Sequence, residues 1–132
     1  MSVRIRTVKA DLEAFAKAID VDLGIATEKI SRDLHERIVE RTPVDTGRAK
    51  SSWDVAVGAP GGSVPPEGKE SYSPAGFGAP LIDGTSPVFI VSNIPYIEAL
   101  ENGHSKQAPQ GMIALSVAET VAEIEGLLAG MT

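Results

Sequence analysis

The chain has 132 residues, of which 42% are hydrophobic and only 5% aromatic, with a formal net charge of −6 and no cysteine. That length suits one domain whose core is filled by Leu, Ile, Val and Ala. The missing cysteines exclude disulfides, thiolate metal ligands and thiol nucleophiles. The acidic balance argues against a protein whose main task is gripping nucleic acid, because that binding draws on phosphate neutralisation by Lys and Arg.

Residues Met1 to Arg6 are charged and lead into no apolar run, which predicts no signal peptide. No stretch approaches the roughly 20 apolar residues of a membrane span. Residues 1–9 alternate loosely, with Val3, Ile5 and Thr7 set against Arg4, Arg6 and Lys9, and read as an N-terminal arm, either a short strand or disordered. From Asp11 to Arg41 the pattern is helical. Leu12, Phe15, Ile19, Leu23, Ala26, Ile30, Leu34 and Ile38 recur at steps of three and four, one stripe on a helix about 45 Å long. Asp11 is the expected N-cap, and Gly24, with Asp20 and Asp22 before it, is where the helix would kink or split. Pro43 forbids continuation. The stripe is narrow and needs one partner surface, a sheet of the same chain or a neighbouring subunit.

Pro43 and Asp45 start a turn, and Asp45 or Thr46 can cap a short helical turn after it. Trp53 to Val57 then alternates with period two, a strand with Trp53, Val55 and Val57 on one face. Residues 58–86 hold five of the nine prolines and seven of the thirteen glycines. A structureless segment that long inside one domain is uncommon and usually functional or disordered. Its apolar side chains Tyr72, Phe77, Leu81 and Ile82 are interface candidates. Pro87 to Ser92 reads as a second strand, antiparallel to the first. Ile94 to Leu100 reads as a short helix or turn with Pro95 in its first turn, stopped at Asn102-Gly103. Gln110 to Leu128 reads as a closing helix with Ile113, Val117, Val121, Ile124 and Leu128 on one stripe. The expected class is α+β: a long N-terminal helix, a small antiparallel sheet with a long Pro/Gly-rich loop, and a C-terminal helix, in a single domain over residues 1–132.

Groups able to do chemistry are few. His35 sits inside the long helix without a second histidine at helical spacing, and His104 lies in a polar loop, so both read as surface or interface residues. Asp20, Asp22, Glu67 and Glu70 lack calcium-loop spacing and read as solvated charge. No serine sits in a nucleophile elbow, and Gly58 to Gly62 lacks the Gly-Lys-Ser/Thr ending of a phosphate loop. Arg37, Arg41, Arg48 and Lys50 form the one basic concentration. They could touch DNA or an acidic neighbour, but charges that suit a helix C-terminus and a solvated turn explain them better. Trp53 is the expected core anchor, with an interface role second.

Two segments carry a resemblance. Thr42-Pro43-Val44-Asp45-Thr46-Gly47-Arg48-Ala49-Lys50-Ser51-Ser52-Trp53, after a long helix, resembles the signature of a tail-component family of long-tailed phages. That family is similar to minor tail protein Z and is often called tail-completion or head–tail joining. Its second segment is matched by Asn93-Ile94-Pro95-Tyr96-Ile97-Glu98, followed by Gly103, and its later proline-containing loop by Gln107 to Ile113. The resemblance covers residues 8–128. It departs at Ala49, where the family often has Leu or a second basic residue, and at 58–86, which is longer and richer in Pro and Gly than the usual connection.

The resemblance implies a ring subunit, in six copies, seated where the tail tube meets the head connector. Its implied partners are copies of itself, the tail terminator or tube protein, and the head-closing or portal protein. It implies a place in the virion neck after assembly in the host cytoplasm, with no cofactor and no turnover. DNA would pass nearby without specific binding, and acidic walls suit that passage. A DNA-contacting accessory module of the connector is the alternative. On the family pattern, the Thr42 to Gly47 turn fixes the helix exit and places Trp53 in the core. Asn93, Pro95 and Tyr96 shape the turn after the second strand, and Glu98 and Glu101 face outward. The 58–86 loop is expected to be ordered by a neighbour during assembly.

Overall fold

A computed structural model of the chain describes residues 2–4, 9–44 and 46–130. The elements are β1 (Ser2–Arg4), α1 (Lys9–Ala18), α2 (Leu23–Arg41), α3 (Arg48–Ser51), β2 (Asp54–Val57), β3 (Val88–Val91), α4 (Ile97–Glu101) and α5 (Ile113–Ala129). The α+β class is as read. The N-terminal arm contributes β1 in its strand form.

The expected single N-terminal helix is two helices, and Asp11 is not its cap, because α1 already begins at Lys9. Two aspartates make the break. Asp20 takes the left-handed conformation at φ 57°, and the Val21 and Asp20 amides bond back to the Ala16 and Lys17 carbonyls, closing α1 in a Schellman turn. Asp22 then stands extended, and its carboxylate accepts the Ile25 amide at 2.9 Å, capping α2. Gly24 lies just inside α2. A side chain there would meet the Ile82 carbonyl at 3.0 Å, so its smallness admits the loop described below.

The sheet has the order β1-β3-β2 with both pairings antiparallel. Val55 faces Ile90 and Val57 faces Val88 across the predicted pair, while Val3 faces Ile90 on the other edge. The central strand β3 is buried along its whole length. Helices α1, α2 and α5 pack on one another. The core joins Phe15, Ile30, Leu34 and Ile38 of the helices to Trp53, Val88 and Ile90, with Ile97, Met112 and Ile124 closing it.

The stripe expected on α5 is displaced. Its most buried line is Ser116, Thr120 and Ile124, whereas Ile113, Val117, Val121 and Leu128 are half-buried. Both hydroxyls bond to the carbonyl four residues back, which lets small polar residues lie against a neighbouring helix without orphan donors.

Candidate functional site

The Thr42 to Trp53 segment is built around Trp53, which is fully buried. Its indole Nε1–H donates to Thr42 Oγ1 at 2.9 Å, and that hydroxyl donates to the Ile38 carbonyl at 2.7 Å. The Trp53 carbonyl lies 2.9 Å from His35 Nε2. A carbonyl only accepts, so Nε2 carries the proton. Burial pushes the His35 imidazole below its ordinary value, against the opposing pull of the Trp53 carbonyl and the Asp54 charge. His35 is therefore a core histidine and not the surface group expected. Alongside it, the Ser52 and Ser92 hydroxyls meet at 2.6 Å, tying the segment to the end of β3.

The turn itself depends on Gly47. It sits at φ 92°, and a Cβ there would stand 2.8 Å from the Tyr72 carbonyl oxygen. Thr46 Oγ1 accepts the Arg48 amide at 3.3 Å, in keeping with the capping expected of it. The same role for Asp45 falls outside the described residues. Pro43 follows the extended Thr42.

The four basic residues all have internal work. On α2, Arg37 donates to Thr120 and pairs with Glu123, while Arg41 donates to Ser116 and pairs with Glu119 on α5. The Glu119 carboxyl is held below its usual range, chiefly by the Arg41 hydrogen bond. Lys50 Nζ donates to the Val39 and Glu40 carbonyls at 3.0 and 3.1 Å, satisfying the open end of α2. Arg48 Nε donates to the Pro65 carbonyl at 3.0 Å, with Glu67 nearby. Charge at a helix end accounts for Lys50, whereas the two α2 arginines form a polar seam with α5. Each cation of that cluster thus already has a partner within the chain.

The second motif segment follows β3. Asn93 and Tyr96 are exposed, and Asn93 Nδ2 reaches the Gly61 carbonyl at 3.4 Å. Pro95 precedes α4 rather than occupying its first turn. Glu98 is exposed as expected, but Glu101 is not turned outward. Its carboxylate accepts the Met112, Ile113 and Ala114 amides at 2.7 to 3.1 Å, so it caps α5 from the preceding helix. Gly103, at φ 86°, lets the Pro109 carbonyl pass where a Cβ would sit.

The two segments meet. Gln107 bonds to both backbone groups of Val44, accepting from its amide and donating to its carbonyl, each at 2.8 Å. Beside that clasp is a cavity of about 210 Å³ whose apolar wall is Pro43, Val44, Ala49, Tyr96 and Leu100. Arg48 lines it as well, its guanidinium carbon 5.8 Å from the Tyr96 ring centre.

The 58–86 segment lies as a strap along its own domain. Tyr72 NH donates to the Thr46 carbonyl and Ala75 NH to the Lys50 carbonyl, both at 3.0 Å. Farther on, Phe77 stands edge-on to His35 and under the Arg32 guanidinium, and Ile82 packs on the core beside Gly24. Tyr72 closes the strap on itself through its hydroxyl and the Pro66 carbonyl. So three of the four interface candidates rest on the chain's own residues, and Leu81 alone stands out, 91% exposed. The turn after it is pinned by Asp83, whose carboxylate accepts from the amides and hydroxyls of Thr85 and Ser86 and is pulled down to about 2 by them.

Among the described residues no three His, Asp or Glu side chains converge as metal ligands, and His104 is exposed. Nor is any helix among them long and apolar enough to cross a membrane. A family model described as "Bacteriophage HK97-gp10, putative tail-component" matches residues 6–73, just over half of the chain, from the N-terminal arm into the strap. No curated protein and no solved structure matches the chain.

Proposed function

The chain belongs to this phage tail-component family, and from that premise we propose that it is the ring subunit that completes the tail where it meets the head connector. As a family member it is a structural component of a phage tail. The neck position and the ring are our reading. The observation that carries it is how the motif residues are used. Thr42, Trp53, His35, Ser52 and Lys50 spend their polar atoms on neighbouring side chains and on backbone carbonyls, and the turn they fix has beside it a surface cleft walled in part by Pro43, Val44 and Tyr96. Such an arrangement serves docking, not turnover. Head-to-tail contacts between copies generate a ring where the rotation from one subunit to the next closes. The net charge of −6 suits a ring that lets DNA pass without holding it. The partners on this reading are further copies, the tail terminator or tube protein on one side, and the head-closing or portal protein on the other.

The test is a phage lysate made without this chain, with the purified protein added back. Separate full heads and finished tails that join on addition support the reading. Joined, infective particles in its absence overturn it. So do tails that fail to form at all, since those would place the protein earlier in assembly.

A further inference from the structure

Helix α4 ends in a Schellman motif. The Gly103 amide donates to the Leu100 carbonyl and the His104 amide to the Ala99 carbonyl, both at 3.1 Å. The motif needs a left-handed residue after Asn102, and Gly103 supplies it at φ 86°. Its missing side chain also admits the Pro109 carbonyl. The fold therefore demands glycine directly after an exposed asparagine. That pair is chemically vulnerable, because the unhindered nitrogen of glycine can reach the side-chain carbonyl of the residue before it.

We infer that Asn102 is a site of self-modification through a cyclic imide, closed in the folded chain and opened when the end of α4 frays. The chemistry is independent of the ring reading above. The Gly103 nitrogen gives up its proton and attacks Asn102 Cγ. The new C–N bond closes a five-membered ring as the side-chain nitrogen leaves as ammonia, and water then opens the ring at either carbonyl. The products are aspartate, or isoaspartate, in which the chain runs through the former side-chain carbon. The fold opposes the first step in two ways. Ring closure needs the Gly103 nitrogen on the Cβ side of Asn102, whereas ψ of 8° turns it over the nitrogen of Asn102 itself. The Gly103 N–H is also engaged by the Leu100 carbonyl, which holds the proton that must leave. Neither obstacle survives opening of the last turn of α4. Other positions are poorer sites. Ile94 crowds the second asparagine, Asn93, and the one Asp-Gly pair, Asp83-Gly84, carries an ionised carboxylate that resists attack. Isoaspartate lengthens the backbone beside Glu101, whose carboxylate caps α5, so a chain that reacts while open should refold with that cap misplaced.

The test holds the purified chain at one pH and temperature, in buffer and in unfolding urea. The peptide carrying Asn102 is followed over time by mass spectrometry with isoaspartate resolved. In urea Asn102 should convert to both acids while Asn93 stays intact, and raising the pH should speed the conversion. In buffer it should be slower by at least about tenfold, since each 1.4 kcal/mol needed to open the turn is a factor of about ten. The reacted chain, returned to buffer, should unfold at lower urea than the unreacted one. Equal rates in buffer and urea overturn the protection. No conversion in urea, or aspartate without isoaspartate, overturns the site. An unchanged urea midpoint in the reacted chain overturns the link to the α5 cap.

Discussion

Replacing Thr42 by valine keeps the shape of the side chain and removes one hydroxyl. That hydroxyl is the acceptor for the Trp53 indole N–H at 2.9 Å and the donor to the Ile38 carbonyl at 2.7 Å, in a site where Trp53 is fully buried. No water reaches the orphaned indole, so the cost is that of an unsatisfied buried donor, about 1–3 kcal/mol. Unfolding entropy of about 2.1 cal/mol/K per residue, over 132 residues, makes each kcal/mol worth about 3.6 °C in Tm. Thr42→Val should therefore lower Tm by about 4–11 °C in a calorimetric scan, whereas Thr42→Ser, which keeps the hydroxyl, should cost about 1 kcal/mol for its lost methyl. The decisive measurement is a cycle with Trp53→Phe, which removes the donor. In that background Thr42→Val should cost about 1 kcal/mol less. Equal costs in both backgrounds would refute the account of the turn as a hydrogen-bonded hub.

Three further outcomes are expected. Because burial holds His35 below its ordinary value of 6.5, the unfolded chain binds a proton that the folded chain resists. Urea stability should thus be full above that value and fall as pH drops below it, and His35→Gln should flatten the slope between pH of roughly 7.5 and 5.5. Glu101→Ala strips three amides at the start of α5 of their acceptor and should cost about 1–2 kcal/mol by chemical denaturation, with Glu101→Gln costing less. Gly47→Ala forces a left-handed alanine against the Tyr72 carbonyl. It should cost about 1–2 kcal/mol or more, and limited proteolysis should cut faster within residues 58–86, since the Tyr72–Thr46 hydrogen bond is the one strained.

Much of this architecture is legible in the sequence because its signals are local. The three-and-four spacing marks α1 and α2, the alternation marks β2, and Pro43 marks the helix end. The break between α1 and α2 is also local, but its signal is the pair Asp20 and Asp22, one tolerating a left-handed turn and the other capping, rather than Gly24. What sequence reading misses is held by distant partners. His35 finds the Trp53 carbonyl 18 residues away, Arg37 finds Glu123 across 86 residues, and Glu101 caps a helix that starts 12 residues on. Lone charged or polar residues look like surface when their partners are that remote. The strap shows the same limit. Tyr72, Phe77, Leu81 and Ile82 are equivalent as apolar side chains in a Pro/Gly-rich run, and the path of the backbone alone separates the three that dock from the one that stands free.

That strap leaves the sheet and returns to it at a single closed mouth. Val57 faces Val88 in the last register pair of β2 and β3, and the Gly58 amide bonds to the Pro87 carbonyl at 2.8 Å just beyond it. The strands keep their alignment whatever lies between. Shortening the excursion to a tight turn would change loop-closure entropy by only about 2 kcal/mol, since each doubling of length costs about 0.6 kcal/mol. The segment is in this sense a cassette. Its exposed Leu81 can change without disturbing the strand pairing, whereas Tyr72, Phe77 and Ile82 tie the middle of the strap to the domain.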